Sequence, residues 1–174
     1  MSRKPSTALP IAHVTLRILI VLNWLYAACL IALLTYSFIN ESFLMRALKL
    51  ASPSENPAMV FGVRAVAALG IVTVPINLAM LKRMLAMVRT VRTGDPFVAA
   101  NAYRLNTIAW LLLALQVIGL IIWGIGKSVS TPAHPLHLDA GFSPAGWLAV
   151  VLTFVLARVF AKGALMREDL QGTI

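Results

Sequence analysis

Four apolar runs constrain this chain more than anything else in it. Residues 18–39, 59–81, 105–126 and 144–161 are almost free of charge, and each approaches or exceeds the ~20 residues that a helix needs to cross about 30 Å of hydrocarbon. A water-soluble domain of 174 residues could not cover so much apolar surface, since 60% of the residues are hydrophobic and only 12% are charged. Inside a bilayer no water satisfies the backbone, so a spanning segment closes its hydrogen bonds within itself as a helix. The predicted fold is therefore all-α: a polytopic membrane protein with four transmembrane helices, forming one four-helix bundle domain over residues 1–174.

A formal charge of +9 would suit a nucleic-acid binder, because basic proteins neutralise phosphates. Here the basic residues instead flank the apolar runs, and no recognition motif accompanies them, so no direct nucleic-acid contact is expected. Arg3, Lys4, Arg17, Lys82, Arg83, Arg89, Arg92, Arg104, Arg158, Lys162 and Arg167 fall on one side of the predicted membrane, and Arg46, Lys49, Arg64 and Lys127 on the other. Eleven against four predicts that both termini and the segment between the second and third runs face the cytoplasm of a bacterial inner membrane. Cys29 is the only cysteine, which excludes an internal disulfide and a thiolate metal cluster. It lies in the first run, where a small buried hydrophobe is expected. Ala27-Ala28-Cys29 resembles a lipoprotein cleavage box, but Tyr26 stands where leucine is expected and apolar sequence continues past the cysteine, as a spanning helix requires.

The punctuation between the runs predicts the connections. Residues 40–58 mix Phe43, Leu44, Met45 and Leu48 with Arg46 and Lys49 before breaking at Pro53 and Pro57, which reads as a short surface helix and a loop. Pro75 should bend the second helix. Basic residues then enter a pattern that stays helical to Thr93, so this helix should project beyond the bilayer and reverse in a hairpin at Thr93-Gly94-Asp95-Pro96-Phe97. Gly94 suits the left-handed residue past a helix end, Asp95 suits an N-cap, and Pro96 suits the first position of the third helix. Residues 127–143, with Pro132, Pro135 and Gly141, read as a loop.

Few residues carry chemistry. His134, His137 and Asp139 are the nearest approach to a metal site, although two imidazoles and a carboxylate in a Pro-rich loop are more simply solvated. Arg64 and Arg158 are the charges set deepest in apolar sequence; each lies about one turn from a span end, within snorkelling reach of headgroups. Asn23, Asn77 and Gln116 suit interhelical amide hydrogen bonds. No phosphate loop, nucleophile elbow or pair of intramembrane carboxylates is present, so neither an enzyme nor a cofactor is expected. The near absence of intramembrane acids also disfavours a proton-coupled transporter.

Gly94-Asp95-Pro96-Phe97, followed by Asn101 and Arg104-Leu105, resembles the central motif of the DUF2975 family of small bacterial membrane proteins. The ending, from Gly163 through Glu168 and Asp169 to Thr173 and Ile174, is similar to that family's tail of a glycine, acidic residues, then a threonine and a terminal aliphatic. The resemblance implies four spans and no established activity. Encoding beside a small helix-turn-helix regulator, common in the family, implies a membrane partner for a transcription factor. The expected function is thus a non-enzymatic membrane protein acting through a cytoplasmic surface of Gly94, Asp95, Pro96, Phe97, Asn101, Arg104, Glu168 and Asp169. Two alternatives stand beside it: a small homo-oligomeric transporter or pore, and a structural protein that binds the lipid bilayer through its basic belt.

Overall fold

The computed structural model describes residues 8–40, 42, 57–92, 94, 96–130 and 141–171. Within them lie four long helices: α1 (Ala8–Ile39), α2 (Pro57–Arg92), α3 (Ala99–Val129) and α4 (Pro144–Gln171). All four are long and apolar enough to cross a membrane, the qualifying stretches being Leu9–Ile39, Ala58–Arg92, Ala99–Val129 and Pro144–Asp169. α2 and α4 each open on a proline, whose missing N–H costs nothing in a first turn. At 36 residues α2 is ~54 Å long, well beyond the hydrocarbon thickness, and it runs through Pro75 without a break. α3 continues to Val129, about one turn into the predicted loop, with the Lys127 ammonium 5.1 Å from the centre of the Trp123 ring one turn earlier. The surface helix expected within residues 40–58 falls almost entirely outside the described residues.

The distribution of side chains is that of helices packed in lipid. Large apolar residues point outward: Phe61 is 74% exposed and Trp110 58%, an arrangement that water would penalise and hydrocarbon does not. Small residues turn inward, and six of the fourteen buried hydrophobic residues described are alanines, which lets backbones approach where packing supplies the association energy. Cys29 is exposed and not buried as expected. α1 is apolar on every side, so residue spacing does not mark the face that turns inward.

The chain divides into two compact units, unit 1 comprising Met1–Asn23, Asn77–Leu113 and Ala145–Ile174, and unit 2 comprising Trp24–Ile76 and Ala114–Pro144. In unit 1 the core includes Leu16, Leu81, Leu105, Ile108, Ala109 and Ala157, and Trp110 meets Phe154 edge to face at 5.4 Å. Unit 2 depends on two glycines of α2. A Cβ on Gly62 would lie 2.8 Å from Val129 Cγ2, and one on Gly70 would lie 2.9 Å from Leu30 Cδ1. The missing side chains therefore set how closely α2 approaches α3 and α1 in that unit.

Candidate functional site

The turn between α2 and α3 is built largely as its sequence suggests. Arg89 and Arg92 occupy the last turn of α2, where cations sit well against free carbonyls. Gly94 has φ +85° and donates its N–H to Val91 O at 3.1 Å, the left-handed geometry expected past a helix end. A Cβ there would meet nothing within 4 Å, so the demand for glycine is torsional and not steric. Asp95, the expected cap, lies outside the described residues.

α3 begins at Ala99, not at Pro96 as its proline suggests, because Pro96, Phe97 and Val98 are non-helical. In a helix begun at Pro96 that residue's carbonyl would accept an N–H four positions on. It instead accepts from Asn101 Nδ2 at 2.9 Å, while the Asn101 backbone N–H closes a tighter turn on Val98 O at 2.9 Å. Asn101 is 0% exposed, so its amide must be satisfied from within. Nδ2 also donates to Thr90 Oγ1 at 2.8 Å, and that hydroxyl has Met87 O as its own acceptor at 2.8 Å. Asn101 Oδ1 accepts from Arg104 Nη1 at 2.7 Å. One buried amide thereby ties together the end of α2, the turn and the first turns of α3.

The tail joins the same construction. Phe97 lies across α4, its ring 5.2 Å from that of Phe160, and a Cβ on Gly163 would sit 2.9 Å from Phe97 Cδ1. Glycine at 163 is what admits the ring. Beside it Ala102 and Ala164 are buried, and Ala99, Ala161, Leu165 and Glu168 help to line a small cavity of about 240 Å³. The two stretches that carry the family resemblance therefore pack against each other within unit 1. Glu168 and Asp169 stand exposed on α4, whereas half-buried Arg104 is directed to Asn101. Nothing in the sequence singles out Thr90 or Phe160. Gly163 offers the available signal, since a glycine inside a helical run usually answers to a close neighbour.

The other polar candidates are dispersed. Asn23 is buried and Asn77 half-buried in unit 1, Gln116 is half-buried in unit 2, and Arg158 is exposed on α4. Arg64 is held at the end of α1: its Nε donates to Ser37 Oγ at 3.1 Å and its Nη2 to Ser37 O at 2.8 Å. The guanidinium also stacks 4.3 Å from the centre of the Phe38 ring. Arg64 thus caps the last turn of α1, a structural duty for a cation at a helix C-terminus. His134, His137 and Asp139 lie outside the described residues, among which no group of three or more metal-binding side chains occurs.

No curated protein and no solved structure matches this chain. A family model described as "Protein of unknown function (DUF2975)" matches residues 3–174. That match takes in the four helices, the Gly94 turn and the Gly163 contact together, and by it the chain belongs to the DUF2975 family.

Proposed function

We propose that this protein is a non-enzymatic, multi-pass protein of the bacterial cytoplasmic membrane that holds a soluble partner at the membrane through its α2–α3 turn and its tail. The observation that supports this reading is the packing of Phe97 against Phe160 and Gly163, which brings the α2–α3 turn against α4 in one packed surface. Exposed Lys162, Glu168 and Asp169 give that surface charges of both signs, which can steer and orient a partner of complementary charge. The partner is a cytoplasmic protein, and a small helix-turn-helix regulator is the first to try. A cytoplasmic setting for the turn and both termini rests on the eleven-to-four bias of basic residues.

The experiment is a pull-down from detergent extract with the full chain, comparing wild type with Glu168→Lys combined with Asp169→Lys, and with Arg104→Gln. The paired tail change reverses two exposed charges. Arg104→Gln retains an N–H donor for Asn101 but removes the charge. Normal membrane abundance with at least a tenfold fall in partner recovery for the tail variant, about 1.4 kcal/mol, is the expected result. Unchanged recovery in both variants would remove the docking surface.

A further inference from the structure

Unit 1 contains a second feature that the docking surface does not use. An open cavity of about 760 Å³ lies among its helical segments, within the roughly 300–1,000 Å³ typical of small-molecule sites. Leu16, Leu105 and Ile108 are buried at its lining, while Leu19 and Met84 are each 41% exposed. Only two of its lining side chains, Thr15 and Thr153, carry a polar oxygen or nitrogen, and the Thr153 hydroxyl is already bonded to Ala149 O at 2.7 Å. Water has almost no partners there, and a void several times the ~150 Å³ of an engineered dry cavity calls for an apolar guest. The lining runs from Leu9 to Leu19 along α1 and from Met80 to Val91 along α2, ~15 Å in each case. That shape is elongated, as a hydrocarbon chain is. Methionines at 80, 84 and 87 form part of one wall and adapt readily to an irregular apolar guest.

Charge marks the other half of the ligand. Arg17 follows Leu16 in the lining of α1, and Arg89 and Arg92 follow Val88 and Val91 in that of α2. All three are exposed. Neither α1 nor α2 contains an acidic residue. Cations next in sequence to lining residues on both helices, with no carboxylate on either, are complementary to an anion carrying a hydrocarbon tail.

We propose that this cavity binds one anionic phospholipid of the surrounding bilayer, an acyl chain lying along Leu16, Met84 and Ile108 and the phosphate meeting Arg17, Arg89 and Arg92. The test uses the full chain in vesicles of equal parts phosphatidylcholine and phosphatidylglycerol, followed by mild detergent extraction and native mass spectrometry of retained lipid. Wild type is expected to keep one phosphatidylglycerol with roughly tenfold preference, and Arg89→Gln combined with Arg92→Gln to abolish the preference. Met84→Trp, which fills the cavity, should lower retention of both lipids; if it fails to fold, Thr15→Phe fills the opposite wall. Equal retention of the two lipids by wild type overturns the proposal. So does a phosphatidylglycerol preference that survives the paired arginine change, or complete displacement of the lipid by inorganic phosphate.

Discussion

Asn101 is the residue on which the α2–α3 turn depends, and its value lies in having no water to fall back on. Both amide protons and the carbonyl oxygen are committed, to Pro96 O, Thr90 Oγ1 and Arg104 Nη1. Asn101→Leu preserves approximate volume but strands a backbone carbonyl and one N–H of a half-buried guanidinium. Two polar groups left without partners should cost about 2–4 kcal/mol in all. Thr90→Val removes only one member of the network, because the Pro96 and Arg104 bonds remain, and should cost about 1 kcal/mol. Unfolding in detergent, followed by helical circular dichroism, orders the two variants; equal losses would mean that the amide is not the centre of the turn. Gly94 was legible from sequence because a helix stop needs a residue that tolerates positive φ. Asn101 was visible only as a motif letter, since its role depends on Thr90, eleven residues earlier, being folded back onto it.

Between elements, the decisive contact is a ring against a glycine. In isolation Gly163→Ala should favour α4, by about 1 kcal/mol in helix propensity. In this protein the new methyl would enter the space of Phe97 Cδ1, and an aromatic ring held beside Phe160 yields poorly, so overpacking of about 1–3 kcal/mol should dominate. With Phe97→Ala in the background the obstruction is gone and Gly163→Ala should become stabilising. A double-mutant cycle should therefore give a coupling of about 2 kcal/mol; additive effects would mean that the ring and the glycine are not in contact. The helices themselves were legible because ~20 apolar residues have few alternatives in a bilayer. The faces they turn toward one another were not, since α1 is apolar all round. Arg64 shows the same limit: sequence placed it near a span end, but its clamp on Ser37 needs the end of α1 beside it.

For the whole molecule, the basic residues and the packing units divide the chain alike. The segments of unit 1 contain all eleven basic residues of the predicted cytoplasmic side, and those of unit 2 contain the other four. Acidic residues do not share the bias, with Asp95, Glu168 and Asp169 in the first set and Glu41, Glu55 and Asp139 in the second. Cations alone therefore carry the asymmetry, the form that orients a protein during insertion. Labelling of single cysteines decides the orientation, after Cys29→Ser removes the one native thiol. With Ser130→Cys, a membrane-impermeant maleimide should react on intact cells, because Ser130 follows the end of α3 in the unit with few cations. With Thr93→Cys, beside Gly94, reaction should appear only after the membrane is opened. The reverse pattern would place the turn and the tail outside the cell, out of reach of any cytoplasmic partner, and would end the docking proposal together with the topology.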